Sequence, residues 1–549
     1  MIPRTAGLLA LAALIALSPM AVAQQVPQVE PAYGAGTDLN RTLRDLEKAK
    51  LERNLQTEMK TSKPQTFETP TVPEAQTASE ATVALREIEF SPSSLLTQED
   101  LKILSAEYLN RSIGIGVLNE LIGKINGWYR SRGYITALAV LPPQQIKDGK
   151  LRILLIEGKV GRVVIQGNET TRYEYITSRV KIPTDEVLSI KPLEKDLFWF
   201  NGTNDVKLRV KLQAGVDKGT TDYYLTVVEP PETQWSIFSD TAGSTDTGRT
   251  RAGISFSNNS VSGNRDSLNV TALVSKTSNS EFLSYTRPVN KNGTKLSFYR
   301  SINDLSVSRN DLNAFHITGK AGTTGLTMTH PLVIRAGYKE ELVLDVHRQK
   351  STNKILGMTF TDDDESRYSI GKTFLDITAE KAFYCKPVIT VGSYQGIGES
   401  KYLRKFVFDG LWQKVGLSGQ VITARLGCQK TNDDYLPSSD QYYLGGLTSV
   451  RGYNESVIGG DSGMNVKLDY LFQVHGAKKT HLFTFYDWGR IYGKSLLSTR
   501  MIHASGVGCK HTFTNDSQIV LTLGFPFVKK IGDETISSRK WDISLNVAF

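Results

Sequence analysis

The sequence predicts a transmembrane antiparallel β-barrel of about sixteen strands, preceded by two small α/β units and an N-terminal amphipathic helix. Three observations carry this prediction. From Glu232 onward helical periodicity disappears, and short alternating runs such as Leu342, Leu344, Val346 and Ile519, Leu521, Leu523, Phe525 are separated by clusters of Gly, Asn, Asp and Ser. The final run sets Trp541, Ile543, Leu545, Val547 and Phe549 against Asp542, Ser544, Asn546 and Ala548, so one face suits lipid and the other an aqueous lumen. The chain also opens like an exported protein. Arg4, the apolar run Leu8 to Leu17 and the small-x-small site Ala21-Val22-Ala23 read as a secretory signal cleaved after Ala23. No run of about 20 apolar residues follows, which excludes a membrane helix but not a barrel. A soluble β-sandwich would alternate too, but it needs only about 100 residues.

After the signal, Leu39, Leu43, Leu46, Leu51, Leu55 and Met59 fall near helical spacing, with Asp38 placed to cap the start. An isolated helix of this length is marginal in water, so it docks elsewhere or remains a frayed polar segment. The Pro-, Thr- and Glu-rich stretch to Ala84 reads as a linker. A strand over Val83 to Phe90 then opens the first α/β unit. Thr97 and Asp100 frame a capping box, and a helix carries Val117, Leu118, Leu121, Ile122, Ile125 and Tyr129 on one face. Strands over Tyr134 to Leu141 and Leu151 to Glu157 close the unit in the order β-α-α-β-β.

The same order repeats after roughly 75 residues, longer than a solenoid repeat. Val163 to Ile165 is a strand, Tyr173 to Val180 and Leu193 to Phe200 are helices, and Val206 to Leu212 and Tyr223 to Val228 are strands. The chain thus divides into signal (1–23), helix-bearing segment (24–60), linker (61–82), two α/β units (83–159 and 160–230) and barrel (231–549).

Net charge is +9, which suits lipopolysaccharide, acidic periplasmic surfaces or an acidic client; nucleic acid is not expected of an exported chain. Cys385, Cys428 and Cys509 read as barrel-wall residues or a stray pair. No catalytic, cofactor-binding or metal constellation is expected. Gly460-Asp461-Ser462-Gly463 copies the words around a serine-protease nucleophile, but the seven His offer no matching base.

Two groups of motifs resemble a known family. Tyr129-Arg130-Ser131-Arg132-Gly133-Tyr134-Ile135, Ala139-Val140-Leu141-Pro142-Pro143-Gln144, Gly149 and Ile156-Glu157-Gly158 resemble the POTRA domain of two-partner secretion transporters of the ShlB/FhaC/HecB family. Asp440 to Gly446, Val450-Arg451-Gly452-Tyr453 and Gly460 to Gly463 look like the segment around that family's long loop, and Phe485-x-Asp487-x-Gly489 is similar to the wall motif that faces it. The resemblance covers essentially the whole mature chain. It implies an outer-membrane transporter, with POTRA domains in the periplasm, that moves a large unfolded exoprotein of haemolysin or adhesin type through its pore without nucleotide hydrolysis.

It implies three further roles: the leading helix as a pore plug, Arg451 tied to Asp487, and Phe549 as the terminal signal read by periplasmic chaperones and the barrel-assembly machinery. From the residues alone, a solvated lumenal Asp and an exposed loop Arg are the readier reading, since surface pairs are common and weak; the tie is what the resemblance implies. Val206, Leu208, Val210 and Leu212 mark a candidate edge strand for the client, with Lys207, Arg209 and Lys211 guarding one side; an ordinary half-buried strand fits equally. A BamA/TamA-like assembly factor is the alternative, since that group shares the domains and the loop motif.

Overall fold

The structure is a computed structural model describing residues 34–61, 82–309, 312–416, 419–433, 436–493, 499–514 and 517–549. The export signal and nearly all of the expected linker lie outside the described residues.

The leading helix spans Ala35–Thr61. No proline interrupts it, and it is built largely from Leu, Lys, Arg, Glu and Gln, all good helix formers. At about 40 Å it is long enough to traverse a membrane barrel. Asp38 is not its cap. The helix begins three residues earlier, because its first backbone donors are satisfied by the barrel wall: Ala35 N donates to Asn353 Oδ1 at 2.9 Å and Gly36 N to Ser351 Oγ at 3.2 Å. Asp38 instead accepts from Ser278 Oγ at 3.1 Å and Asn303 Nδ2 at 3.2 Å.

In the first α/β unit the expected capping box is present, with Asp100 N donating to Thr97 Oγ1 at 3.1 Å and Thr97 N to Asp100 Oδ2 at 3.0 Å. The expected opening strand is two strands, Thr82–Leu85 and Glu87–Phe90. The break falls at Arg86, where Arg86 N and Glu87 N both turn to Gly149 O. The first piece pairs with Arg111–Gly114, a strand between the helices that pattern reasoning did not find. The strand expected over 134–141 shortens to Ala137–Val140. Leu121, Ile125 and Tyr129 of helix Ile115–Ser131 fill the core against Leu151 and Ile153. Partial burial pushes the Glu157 carboxyl up, but hydrogen bonds from Ser93, Ser94 and Tyr129 outweigh it and hold the group below the usual carboxylate range.

The second unit is a three-stranded sheet in the order Lys159–Gln166, Thr220–Val228, Lys207–Ala214. Its helices are Tyr173–Thr177, shorter than expected, and Ile190–Thr203, longer at both ends. Pro192 is tolerated there because first-turn amides have no partner within the helix. The two units abut directly: Lys159 already begins the second sheet, and Ile190 N donates to Gly133 O at 2.8 Å.

Sixteen antiparallel strands then form a closed barrel, from Thr233–Asp240 to Lys540–Ala548. The last strand closes on the first through Ser544↔Asp240 to Ala548↔Ser236. Beyond it Phe549 and Trp235 exchange backbone hydrogen bonds. Side chains alternate as a membrane wall requires: Trp541 and Ile543 are exposed while Asp542 is buried inward. The three cysteines are free and lie in separate wall strands. The second α/β unit docks on the turns at one end: Arg172 N donates to Gly263 O at 2.9 Å, Trp199 Nε1 to Asn292 O at 3.1 Å, and Arg265 Nε to Asp205 at 3.0 Å. Longer loops occupy the other end.

Candidate functional site: a helix and a tied loop inside the barrel

Between wall strands Val421–Thr431 and Ser462–Val474, residues 436–461 fold back into the lumen instead of projecting from it. Leu444, Val450, Tyr453 and Ile458 of this loop are buried against Ile491 and Ile502 of the wall. Two glycines make the path possible. Gly446 has φ +96°, and the space a Cβ would take is filled by the Glu455 carboxylate. Gly452 has φ +88° and lies on Gly524 of wall strand Gln518–Pro526, so close that a Cβ on Gly524 would stand 2.6 Å from the Gly452 Cα.

These turns deliver Arg451 to strand Ala477–Tyr492. On that strand Leu482 and Tyr486 point out, while Phe483, Phe485 and Asp487 point into the lumen. Arg451 Nε donates to Asp487 Oδ2 at 2.7 Å and Nη2 to Oδ1 at 2.8 Å, and the Arg451 backbone N adds a third bond at 2.9 Å. The guanidinium lies over the Phe485 ring at 3.8 Å. Asp487 is fully buried, so the pair is a desolvated fork contact and not a solvated surface bridge. Gly489 leaves room for Leu444 and Val450, and Tyr453 Oη donates to His503 O at 2.9 Å. Phe483 and Phe485 sit over Gly508 and Gly506 of the next strand, where any Cβ would strike the rings.

Pattern reasoning missed the rest of the network. Asp469 accepts from Arg451 Nη1 at 2.7 Å and from Arg425 Nη1 at 2.6 Å. It lies on the inward face of Ser462–Val474 with Asn465 and Lys467, and that polar alternation was the available signal. A second hub fixes the start of the loop. Asp440 is held by Arg367 Nε at 3.0 Å and Lys405 Nζ at 2.6 Å, and Ser439 Oγ donates to Glu365 at 2.5 Å.

The leading helix passes through the same lumen. Its N-terminal end meets the wall near Asn353, at the long-loop end. Leu39 packs against Leu305, Ala321 and Ile355, and Leu55 packs against Ile377, Ala382 and Leu411 near the α/β units. Among the described side chains, Asn40 Nδ2 donates to Ser439 O at 2.9 Å, and Asp45 stands 3.4 Å from Arg251. A cavity of about 860 Å³ runs beside it, lined by Thr42, Asp45, Leu46 and Leu51 and by wall residues including Arg425 and Phe483.

The candidate edge strand departs from its expected use. Val206, Leu208, Val210 and Leu212 are all buried in the core of the second unit with Phe200, Tyr223 and Leu225. They cannot touch a client. The strand that carries the last three, Lys207–Ala214, nevertheless pairs on one side only among the described residues, leaving one backbone edge exposed. Phe549 stays exposed at the seam.

An α/β region feeding a closed sixteen-stranded barrel, whose lumen holds a helix and a tied inward loop, defines a transporter-type outer-membrane barrel. Comparison with known proteins places it more narrowly. The family model for the ShlB-type POTRA domain matches residues 83–158, and that for the haemolysin secretion/activation protein ShlB/FhaC/HecB matches residues 219–511. The chain belongs to this two-partner secretion transporter family, whose members are outer-membrane transporters and not enzymes. It is 22% identical over 425 residues to the heme/hemopexin transporter protein HuxB of Haemophilus influenzae, covering 71% of this chain and 72% of that one. It is 25% identical over 410 residues to the outer membrane transporter CdiB of Dickeya dadantii, covering 69% and 70%. In fold it resembles CdiB from Escherichia coli, with TM-score 0.66 at 18% identity over 96% of this chain and all of that one. BamA from Haemophilus ducreyi lacking POTRA domains 1–3 gives TM-score 0.53 at 14% identity over 85% of this chain.

Proposed function

We propose that this transporter recognises one large exoprotein, of haemolysin or adhesin type, unfolded in the periplasm, and secretes it through the barrel without nucleotide hydrolysis. The observation that carries the reading is the leading helix lodged in the lumen, packed on the wall through Leu39 and Leu55, with open space beside it. Such an element is built to leave. Once it has left, the lumen can take an extended chain, and burial of the client's core outside opposes its return.

The two α/β units, 83–159 and 160–230, act as tandem POTRA domains, and the client adds as a strand to the exposed backbone edge of Lys207–Ala214. A photo-crosslinker at Arg209 that never captures client would remove that step. The Arg451–Asp487 contact keeps the loop against the wall during passage. Phe549 serves as the terminal signal for periplasmic chaperones and the assembly machinery; unchanged heat-modifiable barrel after its deletion would exclude this.

The test of the whole reading is loss of the protein in its native cell. The prediction is that one exoprotein disappears from the medium while other outer-membrane barrels keep their levels. A general fall in those barrels would instead support the BamA/TamA-like assembly reading.

A further inference from the structure

We propose that the outer surface of the barrel carries a binding site for a phosphorylated outer-leaflet lipid, framed by Arg300, Lys320, Arg348 and Lys350. The three strands concerned, Lys295–Ser306, Thr318–Arg335 and Tyr338–Ile355, are neighbours in the wall. Their faces are unambiguous. Ser301, Thr323 and Gln349 are buried toward the lumen, so Arg300, Gly322, Thr324, Arg348 and Lys350 point outward. The register sets Arg300 opposite Thr324 and Thr324 opposite Arg348, while Gly322 lies opposite Lys350 and Lys320 opposite Thr352. Four long cationic side chains therefore surround two small residues. The flanking backbones stand about 10 Å apart, which leaves a shallow cradle of phosphate size.

What lies on either side identifies the occupant. Directly below, toward the α/β units, Phe298, Leu326 and Val346 form one continuous outward apolar row in mutual register. All three are more than two-fifths exposed, as lipid-facing residues must be. Strands of 18 residues also exceed the roughly 9–11 needed to cross the hydrocarbon layer, so their outer parts stand at headgroup level. Carboxylates stand among these cations: Asp304 is 3.5 Å from Lys320, Asp364 takes the Arg348 fork through Nε at 2.7 Å and Nη2, with Lys350 at 3.4 Å, and Glu281 and Asp362 flank the cradle opposite Ile302 and Thr352. Asp364 is shared by two cations, so Lys350 keeps donors for a phosphate, and the Arg300 guanidinium is suited to bind it by two parallel hydrogen bonds. A headgroup phosphate in the cradle places its acyl chains along the Phe298–Leu326–Val346 row. The proposal rests on the outer-membrane location and is independent of the secretion reading.

The experiment is a titration of the purified full-length protein in detergent with bis-phosphorylated lipid A, bound lipid being counted by native mass spectrometry. Each basic residue at a membrane surface adds severalfold to retention of an anionic lipid. The variant combining Arg300→Gln, Lys320→Gln, Arg348→Gln and Lys350→Gln should therefore retain at least about tenfold less. Arg287→Gln and Arg490→Gln, charge losses elsewhere on the outer wall, should leave retention unchanged. Asp364→Asn should raise it by releasing Arg348 and Lys350. Equal binding of dephosphorylated lipid A, or displacement of the lipid by inorganic phosphate, would overturn the proposal. Should the fourfold variant lose its heat-modifiable barrel, Asp364→Asn decides: no gain in retention overturns the site.

Discussion

The loop and the leading helix share one lumen but are held in opposite ways. The loop is sewn to the wall at two charged hubs, and at one of them a single guanidinium engages two buried carboxylates through contacts of 2.7 to 2.8 Å. Among its described side chains the helix is held by hydrogen bonds near its start, by apolar contacts of Leu39 and Leu55, and by an ion pair of Asp45 at 3.4 Å. Breaking a buried pair strands a charge, at a cost of about 3–5 kcal/mol. Exchanging single hydrogen bonds for water costs about 1 kcal/mol each. On the proposed reading, the loop is the permanent element in the lumen and the helix the removable one.

The largest expected effect comes from unpicking the loop. Arg451→Ala and Asp487→Ala should each displace the loop at a cost of about 3–5 kcal/mol and depress client secretion while the barrel still inserts. The double variant should be no worse than either single one, because both break the same contact. Arg451→Lys should also be impaired, since an ammonium cannot span two carboxylates as a fork does. Client in the medium measured against barrel in the membrane decides; additive losses, or normal secretion from both single variants, would dissolve the pair.

Removing Thr37 to Lys60 attacks the other side of the comparison. Single-channel conductance in planar bilayers should rise, and secretion should largely persist. An unchanged conductance would mean that the helix does not obstruct the pore.

Gly452→Ala sharpens the contrast at smaller amplitude. It adds a Cβ at φ +88° against Gly524, a strain of about 1–3 kcal/mol. Secretion should weaken without being abolished, and Gly524→Ala should reproduce the defect from the wall side of the contact. A fully active Gly452→Ala protein would show that the loop tolerates displacement.

The smallest effect is expected from Asp45→Asn, which removes the ion pair with Arg251 near mid-helix. About 1 kcal/mol is at stake, enough for more frequent openings of the same size as those of the deletion. Openings no more frequent than wild type would assign the hold on the helix entirely to its ends.

Much of this arrangement was legible in the sequence, for identifiable reasons. A wall strand repeats every two residues, so the inward placement of Asp487 and the outward placement of Trp541 follow from parity alone. The glycines around Arg451 announce a tight path. Asp469 and Asp440 were not legible, because an inward carboxylate looks the same whether its partner is water or an arginine far along the chain; only cross-strand register brings them together. Arg111–Gly114 escaped because four residues beginning with Arg and Ser show no strand period. Asp38 was misread as a cap because a helix end is normally satisfied by its own chain, whereas here Asn353 and Ser351 of the wall cap it. For Val206 to Leu212 the alternation fitted both an edge strand and an ordinary half-buried strand, and only the sheet order separates them: the strand lies at the sheet's edge with its apolar side chains in the core.

The central claim, one fixed element and one releasable element in a common lumen, is tested most directly by hydrogen exchange on the full-length protein in lipid nanodiscs. Amides of residues 35–61 should open at least about tenfold more readily than the hydrogen-bonded amides of residues 445–460, because local opening follows the strength of local contacts. Equal protection of the two segments, or faster exchange in the loop, would contradict the account.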